Sequence, residues 1–154
     1  MGESVVSGGP NITLQNWNFR VEVSEFGEAR FSEVAGHGEW ESDVVETHHG
    51  GEDQPDKDPG KIKYPPLVLK HPDSADTRFV EWAESCRARE GTPGVPKRNV
   101  DVIQMNRDGQ DVRRKRYKKA WVSKISHGTL TANSTESSMV ELTLQHQGWD
   151  EVPA

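Results

Sequence analysis

The chain has 154 residues, of which 32% are hydrophobic and 29% are charged, and its formal net charge is −6. This length favours a single domain, and the modest apolar content suits a subunit that buries part of its apolar surface against neighbours. The negative net charge argues against nucleic-acid binding driven by overall charge. A lone cysteine, Cys86, excludes an intrachain disulfide and fits a reducing compartment.

The N-terminal part of the chain predicts a flexible arm followed by β-strands. Residues 1–17 lack the basic start and apolar stretch of a secretion signal, and we expect them to form the arm. Residues 19–23 alternate apolar and polar side chains, which predicts a half-buried strand. Further strands are expected at about 29–35 and 39–47. No apolar run reaches the length of a membrane span, so no membrane anchor is expected.

A long exposed loop is predicted next, because residues 50–60 are turn formers and charged residues. A strand is expected over 62–70. Pro65 and Pro66 lack the N–H that a strand ladder requires, which places this strand at a sheet edge or gives it an irregular start.

One amphipathic helix is predicted over about 74–89, with Ser74 or Asp76 as its N-cap. A single apolar stripe at helical spacing consists of Phe79, Trp82, Ala83 and Cys86. The remaining elements are strands at about 98–105, 112–123 and 140–145, a hairpin turn at 106–110, and a short extended piece at 130–132. Residues 150–154 are expected to be loose beyond a domain that spans 18–149.

The sequence carries no pattern that favours catalysis or a cofactor. Cys86 lies on the apolar helix stripe and is predicted to be a core residue, and neither a nucleophile elbow nor a glycine-rich phosphate loop is present. One cluster has zinc-ligand chemistry: Glu46, His48, His49, Glu52 and Asp53. Adjacent histidines point to opposite faces of a strand, so a solvated strand end is the favoured interpretation. We predict neither an enzyme nor a metal site.

A basic run has three competing interpretations. Its cations are Arg107, Arg113, Arg114, Lys115, Arg116, Lys118 and Lys119, with Tyr117 and Trp121 among them. Such a run can bind nucleic acid, protect a strand edge from unwanted pairing, or complement an acidic surface on a partner. The third interpretation is favoured, because the chain also carries an acidic loop. The predicted subunit contacts are therefore Glu52, Asp53, Asp56 and Asp58 with Arg113, Arg114 and Arg116.

Several motifs in order resemble the phage tail tube family, which also supplies the tubes of extracellular contractile injection systems. The resemblance covers about residues 18–149. The matching segments are Phe19-Arg-Val-Glu-Val23, Phe31-Ser-Glu-Val-Ala-Gly36, Val45-Glu-Thr-His-His-Gly-Gly51, Pro59-Gly-Lys-Ile-Lys-Tyr64, Leu67-Val-Leu-Lys70, the helix with Phe79 and Trp82, Arg98-Asn-Val-Asp-Val102, Ala120-Trp121 and Glu141-Leu-Thr-Leu-Gln-His146. His48 and His49 stand where the family commonly has an aromatic–basic pair.

The resemblance implies a mainly β fold with one α-helix, in which two packed antiparallel sheets form a hexameric, ring-forming subunit. It implies a structural inner tube protein whose rings stack around a central channel, with the loop at 50–60 reaching a neighbouring subunit or ring. The implied partners are other copies, a sheath protein, baseplate and cap or terminator proteins, and cargo or DNA in the channel. The protein would be made in the bacterial cytoplasm and assembled in a phage tail or extracellular injection particle.

Two other functions stay open from the sequence. One is a tube-initiator or terminal ring protein of the same machine. The other is a nucleic-acid-binding module that uses the basic strand at 107–119, which would lose affinity steeply as salt rises.

Overall fold

The computed structural model describes residues 14, 17–29, 31–48, 50–51, 54–73 and 77–154. These residues form strands and one helix. The elements in chain order are β1 (Phe19–Val23), β2 (Gly27–Ala29), β3 (Glu33–Ala35), β4 (Glu41–Thr47), β5 (Asp56–Lys63), β6 (Leu67–Pro72), α1 (Arg78–Arg87), β7 (Arg98–Met105), β8 (Asp111–Ser126), β9 (Met139–Gln145) and β10 (Trp149–Val152). The predicted N-terminal arm lies largely outside the described residues.

Two antiparallel sheets share the long strand β8. In the first sheet, β2 pairs with β1, β1 with β7, and β7 with the N-terminal half of β8, which also pairs with β10. In the second sheet, the C-terminal half of β8 pairs with β9, β9 with β6, and β6 with β3. Strands β4 and β5 form a separate two-stranded hairpin.

Strand β8 passes from one sheet to the other through a β-bulge. Its register against β7 shifts between the Arg98 and Val100 pairs, so that Lys118 and Lys119 together oppose Asn99. Lys119 has a φ of 52°, which is left-handed and uncommon for a side chain with a Cβ. Bulges bend a strand, and this one lets a single strand serve both sheets.

The core lies between the two sheets and under the helix. Valines from β1 and β7 meet leucines and a valine from β6 and β9, and all of them are nearly or fully buried. The helix stripe of Phe79, Trp82, Ala83 and Cys86 packs into this cluster, as predicted. Phe26 and Phe31 make edge-to-face contacts with Phe79, with ring centroids 5.5 and 5.1 Å apart. The expected β fold with one helix and two antiparallel sheets is confirmed.

Strand β5 corrects the prediction of a loop over 50–60. It begins at Asp56 and pairs with β4 along its whole length. The pairing tolerates Pro59 because a two-stranded hairpin leaves one edge of each strand unpaired. At Gly60 a Cβ would lie 2.9 Å from the Asp43 carbonyl oxygen, so glycine permits the close approach of the two strands.

The predicted single strand at 29–35 is two short strands on different sheets, because β2 pairs with β1 and β3 pairs with β6. Residues 62–70 are likewise divided between β5 and β6. The helix begins at Arg78, and the predicted caps Ser74 and Asp76 lie outside the described residues. The predicted extended piece at 130–132 is irregular, with Leu130 83% exposed.

The C-terminus is ordered further than expected. Residues 150–152 were predicted to be loose, but they belong to β10, which pairs with β8 from Trp149 to Val152. Cross-strand charge pairs explain the difference. Lys115 contacts Glu151 at 2.8 Å, and Lys118 contacts Asp150 at 3.0 Å. Opposite charges on facing strand positions stabilise such pairing.

Candidate subunit interface

The β4–β5 hairpin leaves its apolar side chains in solvent. Val44, Val45 and Ile62 are 61%, 51% and 47% exposed, and Trp40 just before β4 is 57% exposed. The hairpin packs against no other described helix or strand. A lone two-stranded hairpin is marginally stable in water, so coverage by a further surface would stabilise this element.

One face of the hairpin is the more apolar. Val44 pairs with Pro59, and Ser42 pairs with Ile62 on the same face, two residues along β4. The opposite face carries an ion pair between Lys63 and Asp43 at 2.9 Å. The hairpin thus has an apolar face formed by Val44, Pro59 and Ile62 and a charged face on its other side. Such an arrangement fits a hairpin that packs against another surface through its apolar face and leaves its charged face in solvent.

The segment that leads into the hairpin is fixed to the sheets. The Gly38 N–H donates to the Tyr117 hydroxyl at 2.8 Å, and His37 Nδ1 lies 2.7 Å from the same hydroxyl. The Trp149 indole N–H donates to the Glu39 carbonyl at 2.9 Å. Tyr117 is fully buried, and burial raises its pKa to about 12, so the phenol keeps its proton at neutral pH.

The segment that leaves the hairpin is fixed as well. His146 Nε2 lies 3.0 Å from the Pro65 carbonyl, and the Gly148 N–H donates to His146 Nδ1 at 3.1 Å. The His146 ring packs against Tyr117 with centroids 5.0 Å apart and against Tyr64 at 6.0 Å. Both ends of the hairpin are thus hydrogen-bonded to the sheets at a root, defined as residues 36–40 and 64–66 with Tyr117 and His146.

The predicted acidic contacts lie on or near this hairpin. Asp56 and Asp58 are exposed residues of β5, opposite Thr47 and Val45. Glu52 and Asp53 lie outside the described residues. Two of the four predicted acidic residues thus lie on the β4–β5 hairpin, where they are accessible to another subunit. Their role in subunit contacts stays a prediction.

Two of the predicted basic contacts already have partners within the chain. Arg114 lies 2.6 Å from an Asp101 oxygen and 3.2 Å from Glu22. Arg116 donates to both Asp101 oxygens, at 2.9 and 3.0 Å. Burial alone would raise the pKa of Asp101, but the hydrogen bonds from Arg116 and Arg114 outweigh it and lower that pKa.

Arg113 is the most exposed of the three predicted arginines. Its side chain is 52% exposed, and Nε lies 3.5 Å from Glu151, an exposed carboxylate. Lys115 beside it is buried, and its ammonium also lies over the Trp149 ring at 5.2 Å. Within the described chain, Arg113 is therefore better placed than Arg114 or Arg116 to contact another molecule.

The face of the first sheet that lies away from the core carries a layer of ion pairs. Arg20 donates to both Asp111 oxygens at 3.0 and 2.8 Å, and it also approaches Glu22 at 3.5 Å. Ile103 pairs in register with both Arg20 and Arg114 and is fully buried outside the main core. The arginine stems cover this isoleucine, which explains why strand β8 is basic and β7 keeps a buried carboxylate.

The basic strand offers few free groups to a nucleic acid. Five of its cations pair with carboxylates of β1, β7 or β10 in the same chain, namely Arg113, Arg114, Lys115, Arg116 and Lys118. Tyr117 is fully buried and cannot stack on a base. Most of the cations of this strand therefore form ion pairs within the subunit.

The described residues contain no cluster of three or more histidine, cysteine or acidic side chains with metal-binding geometry. Cys86 is buried, and burial raises its pKa, which disfavours the reactive thiolate. No helix in the described part of the chain combines the length and hydropathy needed to span a membrane.

Sequence reasoning missed the residues that fix the hairpin root. His37, His146 and Tyr117 are far apart in the chain and form no motif. The available signal was weak: glycines flank His37, and Gly148 follows His146 by two residues. Gly38 and Gly148 have positive φ values of 70° and 108°, and their backbone N–H groups donate to the Tyr117 hydroxyl and to His146 Nδ1.

The described residues form two antiparallel sheets with one helix, and comparison with known proteins places this architecture. The family model described as T4-like virus tail tube protein gp19 matches residues 15–150. The chain belongs to this family. No curated protein sequence matches the chain.

Solved structures with the same fold include chains of extracellular contractile injection systems. A chain of the PVC sheath–tube complex, an extracellular contractile injection system in its extended state, is 17% identical with a TM-score of 0.83, covering 100% of this chain and 99% of that chain. A chain of the PVC sheath/tube terminator is 18% identical with a TM-score of 0.82, covering 94% and 100%. Hcp1 from Flavobacterium johnsoniae is 10% identical with a TM-score of 0.55, covering 87% and 94%.

Proposed function

We propose that this protein is the structural inner tube subunit of a contractile tail or injection system. Six copies form a ring, and rings stack around a central channel. The family membership supports the tube role, and the fold is shared with proteins of a sheath–tube complex. No catalytic step is part of the proposal.

The observation that carries the proposal is the unsupported hairpin. Its root is hydrogen-bonded to the sheets, and its apolar face of Val44, Pro59 and Ile62 is covered by no other described element. A second copy is the proposed cover, because repeated docking of one element onto an identical neighbour closes rings when the rotation closes. The acidic residues Asp56 and Asp58, with Glu52 and Asp53, meet basic groups such as Arg113 of that neighbour.

Assembly in a contractile machine implies further partners. A sheath protein surrounds the tube, a baseplate protein starts it, and a cap or terminator protein ends it. Structures of this fold occur in a sheath–tube complex, in a baseplate and in a tube-terminating cap, which supports these partner classes. Cargo or DNA passes through the channel, and the finished particle lies in a phage tail or outside the producing cell.

Negative-stain electron microscopy across a concentration series tests the proposal. We expect six-fold rings or hollow tubes of the wild-type protein at neutral pH and moderate salt. The double variant Val44→Lys/Ile62→Lys places two charges on the apolar face and is expected to abolish rings while leaving the subunit folded. Leu130→Lys is the matched control, because Leu130 is an exposed apolar residue of the irregular segment between β8 and β9.

Two outcomes would contradict the proposal. Rings formed equally by the double variant would show that the hairpin face is not an interface. The tube function would also be contradicted if the wild-type protein remained monomeric at every concentration, even when preformed tubes or baseplates of its own machine were added as seeds.

A terminal ring is the second candidate function. The fold matches a sheath/tube terminator as well as a sheath–tube complex, with TM-scores of 0.82 and 0.83. A terminator makes single rings that do not stack. Single rings at high concentration, and capping of growing tubes in a mixture, would identify this role.

A further inference from the structure

The hydrogen atoms at the hairpin root can be assigned from donors and acceptors. The Gly38 N–H is a donor only, so the Tyr117 oxygen accepts its hydrogen bond. The phenol proton then needs an acceptor, and His37 Nδ1 lies 2.7 Å away. His37 is therefore the neutral tautomer with its proton on Nε2.

His146 is fixed in the same tautomer by an independent pair of contacts. The Gly148 N–H donates to Nδ1, so Nδ1 carries no proton. The proton lies on Nε2, which donates to the Pro65 carbonyl. Both rings thus use an unprotonated Nδ1 as an acceptor, and both contact Tyr117.

Protonation of either ring conflicts with these contacts. A proton on His146 Nδ1 would face the Gly148 N–H, and two donors cannot share a hydrogen bond. A proton on His37 Nδ1 would displace the hydroxyl proton of a fully buried tyrosine, which then lacks an acceptor. Protonation of His37 thus opposes the contacts that fix the entering segment. Protonation of His146 leaves the Nε2 donation to the Pro65 carbonyl in place but opposes the Gly148 contact that orients the ring.

We propose that His37 and His146 form an acid-sensitive latch, which orders the root of the β4–β5 hairpin when the rings are neutral and loosens it when the rings are protonated. The latch regulates the same hairpin that the proposed function uses for subunit contacts, and its consequence for assembly rests on that function. In the free subunit the latch acts on the hairpin alone.

The charged surroundings set the pH range of the latch. Burial lowers the pKa of His37 from 6.5 to about 4, and the Lys115 ammonium and Arg113 guanidinium oppose the charged ring further, while Gln104 raises the pKa by a hydrogen bond. Glu151 offsets both cations through its ion pairs with them, and Glu39 lies near Tyr117. Burial also lowers the pKa of His146, whose ring faces Tyr117 and Tyr64.

The sign of the effect follows from these lowered pKa values. The latched state binds fewer protons than the released state, so latching is favoured at high pH and weakens as pH falls. Weakening begins below the ordinary histidine pKa of 6.5 and continues to the latched value, which is about 4 for His37. We therefore expect protection of the hairpin-root amides to fall by more than about 10-fold between pH 7 and pH 4.5.

Hydrogen exchange of the unassembled wild-type protein, corrected for the intrinsic pH dependence of exchange, measures this protection. Peptides that cover 36–48 and 54–66 should lose protection on acidification, whereas peptides from β1 and β7 should keep it. The variant His37→Asn/His146→Asn places an amide oxygen near each Nδ1 position without a titrating proton. This variant lacks the Nε2 donor to the Pro65 carbonyl, so its protection should be lower at both pH values, but it should not fall between pH 7 and pH 4.5. The control His127→Asn should respond to acid like the wild type.

Loss of protection at the same pH in His37→Asn/His146→Asn and in the wild type would overturn the latch. If the double variant does not fold, ¹⁵N NMR of the wild-type imidazoles decides: both rings with Nε2–H tautomers at pH 7 support the latch, and a proton on either Nδ1 overturns it. These readouts use free subunits, so they are independent of ring formation. Failure to form rings at pH 7 would count against the proposed function alone.

Discussion

The sheet sandwich and the β4–β5 hairpin both consist of antiparallel strands, yet the sandwich buries its apolar side chains and the hairpin exposes them. In the sandwich, Val21, Leu69 and Leu142 are fully buried. In the hairpin, Val44 and Ile62 are 61% and 47% exposed. The sandwich completes its own core, whereas the hairpin has backbone pairing but no core.

This difference separates stability from assembly. Burial of a large apolar side chain contributes about 1.5–3 kcal/mol, so the sandwich determines whether the free subunit folds. The hairpin side chains gain that contribution only when another surface covers them. Mutations in the two regions are therefore expected to act on different measurements.

Replacing Trp82 should have the largest effect on the free subunit. Its ring is buried in the core, and its indole N–H donates to the Pro96 carbonyl at 2.9 Å. Trp82→Ala removes the contacts and leaves a cavity, which should lower the free energy of unfolding by about 3–5 kcal/mol. Trp40→Ala, at the base of the hairpin, should change it by less than about 0.5 kcal/mol. Chemical denaturation of both variants measures the contrast.

Equal losses of stability in Trp82→Ala and Trp40→Ala would contradict the separation of sandwich and hairpin, because the hairpin would then belong to the same cooperative core. Loss of ring formation in Trp40→Ala with normal stability would show that the hairpin acts on assembly and not on folding of the free subunit. Electron microscopy of the same samples gives the second readout.

Gly36 connects the two regions and should give the next largest effect. Its φ is +80°, and a Cβ at this position would lie 2.4 Å from the Pro66 carbonyl oxygen, which follows the hairpin. Gly36→Ala combines a strained backbone with a clash against main-chain atoms, so we expect a loss of about 2–3 kcal/mol. Gly27 has a similar φ of +76° and open space around it, which makes Gly27→Ala the matched control at about 1 kcal/mol.

Thermal unfolding of the two glycine variants separates the clash from the backbone strain. If both lose the same stability, the approach of Pro66 to Gly36 has no energetic role. A larger loss in Gly36→Ala shows that the hairpin root is packed tightly on the sandwich.

The sandwich was predictable from the sequence because its signals are local. Alternation placed β1, β7 and β9, and helical spacing of Phe79, Trp82 and Cys86 placed the buried face of α1. In the hairpin, the sequence predicts β4 but not β5, because Pro59 and Gly60 are turn formers whose strand conformation depends on the partner strand. Local composition therefore indicated a loop.

The root and the charge network escaped prediction for a different reason. The contacts of Tyr117 with His37 and His146 join residues from β8, from the turn after β3 and from the end of β9. Asp101 meets Arg114 and Arg116 only because β7 and β8 pair in one register. Such contacts follow from tertiary pairing, which sequence spacing does not encode.

Removing the Asp101 carboxylate should have an intermediate effect within the sandwich. Asp101→Asn leaves Arg114 and Arg116 without their shared partner, and we expect a loss of about 2 kcal/mol at pH 7. The pKa of Asp101 is lowered in the folded protein, so its contribution is present above the ordinary value of 3.8 and is lost as pH falls through the folded value. Chemical denaturation of Asp101→Asn and of the wild type at pH 7 and at pH 3 measures the loss of stability and its dependence on pH. A stability difference from wild type that grows on acidification would contradict this assignment.

Replacing Arg113 should give the smallest effect on folding and the most specific effect on assembly. Arg113→Glu changes a side chain that is 52% exposed, so the free energy of unfolding should change by less than about 0.5 kcal/mol. Arg114→Glu instead places a carboxylate beside Asp101 and Glu22, and its loss should be several times larger. If Arg113 meets the acidic residues of a neighbouring hairpin, Arg113→Glu weakens ring formation in low salt despite normal stability, and Asp58→Lys in the same chain restores it. If Arg113→Glu forms rings at the same concentrations as the wild type, Arg113 makes no important contact with a neighbouring subunit. The charges of the basic strand would then act only through its ion pairs with β1, β7 and β10 in the same subunit.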